Sequence, residues 1–460
     1  MAISTKPASG FRDFLPTEMR RRKRVFDVIE RVYNAFGFER IDTPCVERLD
    51  TLLGKYGEEG DQLIFKILQR GDKLERALQG EQVRDIDLAD AGLRYDLTVP
   101  LARVYAQYRN DLPRYFKRYQ IAPVWRADRP QRGRFREFYQ CDVDVVGSSS
   151  MAVEAEVTAA LATILKELGF LDVRIHVNHR RVLQALMQVS QISDAKEADA
   201  LIAIDKLDKI GRDGVVNELK SRGIADDSVA TLMGILDGFV APGTDGFSNE
   251  AVLAHLEGAL ASSDQGLSAI ADLRSLLSFA SGGPAASLLC LDPYLARGLS
   301  YYTGPIFEVR SDAFPGSLGG GGRYDGLIGM FMKEDVPACG FSLGVERLLV
   351  LMEESGMFTD EVSDVDVLVT LWGAETTAAS LALAHELRAK GVRVDVYPDH
   401  DKYGKQFKYA DSRRIPYVVL MGPDEVSAQT VTLKHLGTGQ QQSFPRSDAA
   451  AAIVAAISKG

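Results

Sequence analysis

Apolar and polar residues recur along the chain with two periods, and these periods predict its helices and strands. Residues 17–36 place side chains every three or four positions on one largely apolar stripe, which includes Arg22 and predicts a helix. Residues 38–44 predict a strand that Pro44 ends. Residues 151–168 predict a second helix, and residues 180–280 predict a mainly helical segment.

Two strands are predicted at residues 115–126 and 134–146, and the loop between them contains the turn-like stretch DRPQRG. Alternate side chains of a strand lie on opposite faces, so the second strand has one apolar face and one polar face. The polar face carries Arg134, Arg136, Phe138, Gln140, Asp142 and Asp144. That face is either exposed to solvent or the floor of a binding site.

The remaining pattern predicts a second, smaller domain. Residues 287–345 are strand-like and rich in glycine, and the charged residues 357–364 form a linker. Strands and helices then alternate from residue 365 onward, and one last strand and one last helix are predicted to close the chain, which is typical of a small α/β domain. Near the N-terminus, residues 93–103 predict a strand with Arg94, Asp96 and Thr98 on one face. This strand is either structural or holds an ammonium group.

The distribution of charged residues adds one expected feature to these predicted elements. The 460 residues include 54 basic and 64 acidic residues, and 46% of them are hydrophobic, which fits a globular protein of two or three domains. The net charge of −10 argues against a protein that coats nucleic acid. Five arginines nevertheless lie between Trp125 and Arg136, so a local anion-binding site is expected there. The basic run at 20–24 is interpreted as a solvated helix face.

Several common kinds of site are not expected. The four cysteines are far apart and form no CxxC pair, which favours reduced thiols in a cytoplasmic protein. No signal-peptide core or membrane-spanning apolar run is present. The pair His176 and His179 lacks the pattern of a zinc site and is interpreted as a strand end, so no metal site is predicted. No serine elbow or catalytic Cys/His signature occurs.

Three further stretches carry possible chemistry. GSLGGGGRYDGL (316–327) is not a phosphate-binding loop and is either a flexible turn or a close backbone approach to a ligand. In LARGLSYYTGPIFEV (295–309), strand geometry would direct the two tyrosines to opposite faces. In ACGFSLGVERLLVLM (338–352), Arg347 lies in the first turn of a helix. The helix dipole disfavours a cation there unless an anion binds between the arginine and the helix N-terminus.

Together these stretches resemble the three motifs of class II aminoacyl-tRNA synthetases. The first helix with Pro44 resembles motif 1, the strands around Arg126 resemble motif 2, and Arg347 at its strand–helix junction resembles motif 3. LARGLSYYTG and GGGGRYDGL are similar to the signature of the histidyl-tRNA synthetase family. LRYDLTVP, REFYQCDVD and DKLDKIG resemble the eukaryotic-type branch of that family. The resemblance spans nearly the whole chain.

The resemblance implies a fold class and a domain organisation. The fold expected is α/β, with an α+β catalytic domain built on an antiparallel sheet flanked by helices. A mainly helical insertion and a C-terminal α/β anticodon-binding domain complete it. The boundaries are 1–179 and 286–356 for the two parts of the catalytic domain, 180–285 for the insertion, 357–364 for the linker and 365–460 for the anticodon-binding domain.

It also implies a function, with partners and site residues. The chain would activate L-histidine with ATP and Mg²⁺ and transfer it to tRNA(His), as a cytoplasmic homodimer. Arg297 and Arg126 would be catalytic. ATP would be bound by Arg126, Asp128, Arg134 and Arg347. Histidine would be bound by Asp96, Thr98, Gln140, Asp144, Tyr301, Tyr302 and Tyr324. The tRNA would be bound by Arg129, Gln131, Arg132, Lys402, Lys405, Lys408, Arg413 and Arg414.

Two residues depart from the family pattern, and other functions stay open. Ser300 stands where the family commonly has an acid, which bears on the orientation of Arg297. Asp128 replaces the longer glutamate of the class II RxE motif. A synthetase-like regulatory paralogue that senses histidine without aminoacylation is the main alternative. A sensor of uncharged tRNA and a class II synthetase for another amino acid are the others.

Overall fold

The computed structural model describes residues 3–80, 83–296, 301–358 and 363–458. The chain forms two compact units, Met1–Met357 and Phe358–Gly460. The strands are β1 (Glu39–Arg40), β2 (Val46–Arg48), β3 (Lys66–Leu68), β4 (Ala89–Leu93), β5 (Phe116–Trp125), β6 (Glu137–Val146), β7 (Val173–His179), β8 (Leu289–Leu291), β9 (Pro305–Ser311), β10 (Phe314–Arg323), β11 (Ala338–Gly344), β12 (Val367–Val369), β13 (Val394–Val396), β14 (Tyr417–Leu420), β15 (Thr430–His435) and β16 (Gln441–Pro445).

The α-helices are α1 (Pro16–Ala35), α2 (Leu49–Leu52), α3 (Gly57–Gln62), α4 (Asp72–Leu78), α5 (Thr98–Tyr108), α6 (Ala152–Glu167), α7 (Arg180–Val189), α8 (Asp194–Ile204), α9 (Leu207–Ser221), α10 (Asp226–Leu236), α11 (Asn249–Ala259), α12 (Asp264–Ala280), α13 (Val345–Glu354), α14 (Ala374–Ala389), α15 (Tyr403–Ser412), α16 (Pro423–Ser427) and α17 (Ala449–Ile457). Single 3₁₀ turns occur at Asp85–Asp87 and Ile328–Met330. In the described part of the chain, no helix has the length and apolar character needed to cross a membrane.

An eight-stranded sheet forms the centre of the first unit, in the order β1-β5-β6-β11-β10-β9-β7-β8. Its central pairs, from β5 to β7, are all antiparallel, whereas β1 and β8 join the two edges in parallel. Helices α1, α6 and α13 pack around the middle strands. A separate three-stranded sheet, β2-β4-β3, accompanies the short helices before α5. The antiparallel sheet with flanking helices that the sequence predicted is confirmed.

The second unit has its own sheet, in the order β13-β12-β14-β15-β16. Strands β12, β13 and β14 are parallel, and β15 and β16 are antiparallel to their neighbours. The alternation of strands and helices was predicted from residue 365 onward. The prediction of a single closing strand is wrong, because residues 430–445 form the antiparallel hairpin of β15 and β16.

The strand predicted across residues 93–103 is wrong. Strand β4 ends at Leu93 and helix α5 begins at Thr98. The Asp96 Oδ1 atom accepts a hydrogen bond from the Val99 N–H at 3.1 Å, which satisfies one of the exposed donors of the helix start. Pro100 fits in this first turn because no partner is needed for its missing N–H. Arg94 is buried and donates to the Pro123 carbonyl at 2.9 Å.

The two halves of the His176/His179 pair have structural partners. Both residues lie in β7, and His179 is its last residue, as predicted. The His176 Nδ1 atom lies 2.8 Å from an Asp292 carboxylate oxygen. The His179 ring caps helix α7 by accepting from the Arg181 N–H at 3.1 Å. All four cysteines are free thiols, and three of them are buried.

The basic run at 20–24 is only partly a solvated helix face. Arg22 is 2% exposed, and one of its Nη atoms lies 2.9 Å from the carboxylate of the equally buried Glu346 in α13. The Arg22 guanidinium also stacks on the ring of Phe14, with 4.2 Å to its centroid. Burial raises the pKa of Glu346, and the ion pair with Arg22 opposes that shift. This pair therefore joins α1 to the helix that carries Arg347.

Replacing Arg22 with Ala is expected to destabilise the first unit by about 3–5 kcal/mol, because Glu346 would be left buried without its counter-charge. Urea denaturation measures this in a Trp372→Phe background, where Trp125 is the remaining tryptophan. Lys23→Ala is the matched control. It removes an exposed pair with Asp27 and should change the free energy of unfolding by less than about 1 kcal/mol. Equal effects of the two substitutions would contradict the conclusion that the buried ion pair of Arg22 and Glu346 stabilises the first unit.

Candidate active site

A cavity of about 350 Å³ lies in the first unit, over the middle strands of the large sheet. Its walls come from β6, β9, β10 and β11, from the start of α5 and from the loop at 126–136. Eleven of the side chains predicted for ATP or histidine line it: Asp96, Thr98, Arg126, Asp128, Arg134, Gln140, Asp144, Tyr301, Tyr302, Tyr324 and Arg347. The predicted catalytic Arg297, with Ser300, lies outside the described residues.

Three arginines of the cavity, Arg126, Arg134 and Arg347, are called the arginine cluster below. The Arg126 guanidinium lies 4.2 Å from the centroid of the Tyr95 ring and 5.1 Å from that of Phe138. Its Nε donates to the Tyr95 carbonyl at 3.1 Å. The rings and this bond fix the plane of the guanidinium, so that an anion in the cavity meets a pre-oriented fork of donors.

The loop between β5 and β6 carries Arg134. Gln131 and Arg134 exchange backbone hydrogen bonds of 3.0 and 2.9 Å, and Gly133 takes the positive φ of +67° that this tight turn requires. The Arg134 Nε donates to Asp128 at 2.9 Å. Arg134 was predicted on strand β6, and this is not correct, because β6 begins at Glu137. The loop brings its side chain to the cavity instead.

Arg136 belongs to the frame of the loop and does not line the cavity. Its N–H donates to the Gly10 carbonyl at 2.9 Å, and its Nε donates to the Asp128 carbonyl at 3.1 Å. Its carbonyl accepts from the Arg126 N–H at 2.9 Å. The prediction that Arg136 shares the face of β6 is therefore wrong, and its bonds instead fix the backbone of two cavity residues.

Arg347 occupies the predicted strand–helix junction. Strand β11 ends at Gly344, helix α13 begins at Val345, and Arg347 lies in its first turn. The Arg347 Nη1 atom donates to the Ser317 carbonyl of β10. A cation at a helix N-terminus is electrostatically unfavourable, and an anion beside both would be attracted by the two together.

Three buried carboxyl groups, Asp96, Asp142 and Asp144, are called the acidic cluster below. Asp96 is 2% exposed and accepts from the Tyr56 hydroxyl at 3.0 Å. Burial raises its pKa above the ordinary value, although the Val99 N–H and the Arg126 charge act in the opposite direction.

Both Tyr301 and Tyr302 precede β9 and line the cavity. The prediction that they face opposite ways on a strand is wrong.

Asp144 is held from two sides. One oxygen lies 2.7 Å from an Nη atom of Arg118, which is fully buried in β5. The other oxygen accepts from the Tyr324 hydroxyl. Burial raises the pKa of Asp144, and Arg118 opposes this shift. The hydroxyl and carboxyl groups at this position present hydrogen-bonding partners of fixed orientation to the cavity.

The prediction of site residues did not include Asp142, which also lines the cavity. It is 2% exposed and lies on β6 between Gln140 and Asp144. The Gln140 Nε2 donates to the Ser342 hydroxyl on β11 at 2.7 Å. The polar face of β6 was left open as solvent-exposed or the floor of a site. It is the floor of this cavity, and the alternation that placed Asp142 beside Gln140 was the available signal.

The four consecutive glycines lie inside a strand and do not form a flexible turn. They belong to β10, between β9 and β11. A Cβ atom at Gly321 would lie 2.2 Å from the Gly340 carbonyl oxygen, and one at Gly340 would lie 1.9 Å from an Asp144 carboxylate oxygen. Both glycines line the cavity, so the absence of side chains leaves room there and lets the strands approach closely.

The residues predicted to contact tRNA lie in two places. Arg129, Gln131 and Arg132 are exposed on the loop, and Arg132 pairs with Glu354. In the second unit the predicted side chains are exposed in or around α15: Lys402, Lys405, Lys408, Arg413 and Arg414. Lys405 pairs with Asp401 at 2.7 Å and Arg413 pairs with Asp395, so acids offset part of this charge.

Comparison with known proteins identifies the family. A model described as histidyl-tRNA synthetase matches residues 10–348. The chain belongs to this family. A second model, described as an anticodon binding domain, matches residues 365–456. The fold class predicted for a class II synthetase is likewise confirmed by the structural relative described next.

Similar proteins extend over the whole length of the chain. The histidine–tRNA ligase of Porphyromonas gingivalis is 44% identical over 97% of this chain and 98% of its own length. That of Christiangramia forsetii is 41% identical over 96% and 98%. The crystal structure of histidyl-tRNA synthetase from Nostoc sp. PCC 7120 has a TM-score of 0.81 at 32% identity, covering 98% of this chain and 99% of that one. These relatives are bacterial and lend no support to the predicted eukaryotic-type branch.

Gly321→Ala is expected to destabilise the first unit by about 1–3 kcal/mol, because the new methyl group would meet the backbone of β11, which cannot rotate away. Gly326→Ala is the matched control, since a Cβ atom there has nothing within 4 Å. Thermal unfolding of the two variants measures the difference. Equal melting temperatures would show that β10 and β11 do not pack as described.

Proposed function

We propose that this chain is a histidine–tRNA ligase, which forms histidyl-adenylate from L-histidine and ATP and then transfers histidine to the 3′ end of tRNA(His). The observation that carries the proposal is the charge distribution of one cavity. The arginine cluster suits the phosphates of ATP and the carboxylate of an amino acid, and the acidic cluster suits an ammonium group and ring N–H donors. Membership of the histidyl-tRNA synthetase family supports the same conclusion.

The first step is attack of the histidine carboxylate on the α-phosphorus of ATP, with pyrophosphate as the leaving group. Two anions must meet, and negative charge builds on the phosphoryl oxygens in the transition state. Fixed cations that need no reorganisation stabilise that charge, and holding both substrates side by side supplies much of the remaining rate. No protein nucleophile is required in this reaction.

Each member of the arginine cluster has a proposed role. Arg126 binds the α-phosphate and the substrate carboxylate, and its stacked orientation between Tyr95 and Phe138 supports this role. Arg347 binds the γ-phosphate together with Arg134. Asp128 fixes Arg134 by their 2.9 Å ion pair. Arg297, outside the described residues, is proposed from the family resemblance as the catalytic arginine that faces the α-phosphate.

The acidic cluster and its neighbours are proposed to recognise histidine. Asp96, Thr98 and Gln140 bind the ammonium group. Asp144, Tyr302 and Tyr324 bind the imidazole ring, and Tyr301 supports the pocket. A site that satisfies both ring nitrogens rejects amino acids that lack them, because their binding would leave buried polar groups without partners.

Mg²⁺ is proposed to accompany ATP. Across the described ranges, no group of three or more His, Cys, Asp or Glu side chains is arranged to hold a metal ion. Mg²⁺ commonly needs only one or two carboxylates in addition to substrate phosphates. Glu308 is a buried carboxylate in the cavity wall that accepts a hydrogen bond from Arg310 Nε at 2.5 Å, and it would be one such ligand. When bound, the ion would neutralise phosphate charge.

The remaining parts of the chain have proposed roles in tRNA binding and assembly. The catalytic domain comprises 1–179 and 286–356, residues 180–285 are an insertion, 357–364 a linker, and 365–460 an anticodon-binding domain. The loop residues Arg129, Gln131 and Arg132 approach the acceptor end, and the basic residues around α15 contact the anticodon arm through its phosphates. By the resemblance of α1 to motif 1 we propose a homodimer. The role in protein synthesis implies a cytoplasmic location.

Arg126→Ala is expected to reduce histidine-dependent ATP–pyrophosphate exchange by about 10²–10³-fold, because a fixed donor to the developing charge is lost. Arg48→Ala, which removes a largely exposed arginine paired with Asp50, should leave exchange unchanged. Near-normal exchange in Arg126→Ala, with an unaltered melting temperature, would overturn the role of Arg126.

Deleting residues 365–460 is expected to reduce aminoacylation of tRNA(His) far more than histidine-dependent exchange, because the proposed adenylation residues all belong to the first unit. The two rates are measured on the same preparation, and its circular dichroism is compared with that of the full chain. Equal loss of both activities in a folded preparation would indicate that this segment has a mainly structural role.

A further inference from the structure

Two acceptor atoms point to a ligand contact on the floor of the cavity. Asp142 Oδ1 and Gln140 Oε1 are both buried, and neither has a hydrogen-bond partner among the described residues. Both side chains line the cavity. A buried acceptor without a partner is costly, so a ligand that donates hydrogen bonds here would remove that cost.

The neighbouring Asp144 is already engaged on both sides. One of its oxygens lies in the ion pair with Arg118, without the geometry of a hydrogen bond, and the other accepts from Tyr324. Asp142 has no comparable ion pair among the described residues, although Arg118 lies close enough to favour its charged form. Of the two acids on this face of β6, Asp142 therefore has the less satisfied carboxylate.

The charges around Asp142 favour retention of a proton. Facing it are Arg118 from β5, Asp144 from β6, Ser342 from β11 and Asp96 from the start of α5. Tyr302 in the cavity, and Cys141 and Tyr33 nearby, also interact with it. Burial first, and then Asp144, raise the pKa of Asp142 to about 7, against the opposing effects of Arg118 and Ser342.

We propose that Asp142 is a further specificity-determining residue, whose carboxyl group accepts a hydrogen bond from the imidazole N–H of bound histidine and shares one proton with the ring. This inference rests on the proposed function and identifies a histidine contact beyond Asp144, Tyr302 and Tyr324. The shared proton limits the negative charge of the acidic cluster while both groups stay hydrogen-bonded.

Proton counting gives the expected pH dependence of histidine affinity. The complex holds one proton between Asp142 and the ring. As the pH rises above about 7, the Asp142 carboxyl of the ligand-free protein loses its proton. The ring of free histidine, which titrates near pH 6.5, is then also deprotonated, so binding must take up a proton. Affinity therefore falls as the pH rises. An asparagine at 142 has no proton to share, and its carbonyl accepts from the neutral ring at any pH above about 7.

The test is calorimetric titration of the full chain with L-histidine between pH 7 and 8.5. The dissociation constant of the unaltered protein is expected to rise by about tenfold over this range. That of Asp142→Asn should change by less than about twofold. Asp142→Glu, which restores an ionisable group, should recover a pH dependence. Asp213→Asn, an almost fully exposed acid on α9, should behave like the unaltered protein.

The outcomes separate this inference from the proposed function. The role of Asp142 alone would be overturned if the dissociation constant of Asp142→Asn rose tenfold with pH, as that of the unaltered protein is expected to do. It would also be overturned if the dissociation constant of the unaltered protein did not change with pH. If the unaltered protein binds no histidine and shows no histidine-dependent exchange, the proposed function fails and the inference with it. Melting temperatures accompany each titration. If Asp142→Asn does not fold, Asp142→Ser takes its place, because serine likewise carries no titrating carboxyl group and the same flat profile is expected; a tenfold rise of its dissociation constant would overturn the role of Asp142.

Discussion

Arg118 is the buried charge on which the cavity depends. Its side chain is fully buried in β5, where one Nη atom lies 2.7 Å from Asp144 and donates to the Leu97 carbonyl at 3.1 Å. The same positive charge opposes the burial-driven rise in the pKa of all three carboxyl groups of the acidic cluster. Without it, three acids in one buried site would repel one another and take up protons. Arg118 thus joins the end of the loop before α5 to the floor strand β6.

The backbone supplies the second constraint. The glycines of β10 and β11 bring two strands together where a single Cβ atom would collide with a carbonyl or with Asp144. The surface that remains is lined by backbone and by side chains whose orientations are fixed by stacking, ion pairs or hydrogen bonds. Such preorganisation is what a reaction between two anionic substrates needs, because the compensating charges are in place before the substrates bind.

Much of this architecture could be predicted from the sequence, where the pattern is long and regular. The helix α1, the pair β5 and β6, and the strand–helix junction before Arg347 each follow from a sustained period and a turn signal. The short strands β2, β3 and β4 could not be found, because three to five residues carry too little alternation. Strand β10 lies within the segment 287–345 that was predicted to be strand-like. Its glycine run was left open as a flexible turn because glycine is normally depleted in strands, and the closeness of β11 outweighed that tendency.

Some of the site residues could likewise be predicted from the sequence, and others could not. The residues brought together at the cavity were predicted through motif resemblance, since residues as distant as Asp96 and Arg347 show no local sign of meeting. Asp142 could have been included, because its alternation with Gln140 and Asp144 was visible. The helix start at Thr98 was signalled by Asp96 followed by Pro100. Arg22 was recognised within the apolar stripe of α1, but its partner Glu346 is more than 300 residues away and could not be inferred.

Amino-acid-dependent ATP–pyrophosphate exchange, measured with each of the twenty amino acids, tests the central claim most directly. The claim is that one cavity holds an amino acid recognised by its imidazole ring beside the phosphates of ATP. Exchange with histidine alone is the predicted result. Exchange with a different amino acid would contradict the assignment of the acidic cluster to histidine. Histidine binding without any exchange would contradict the ligase activity and favour a histidine sensor.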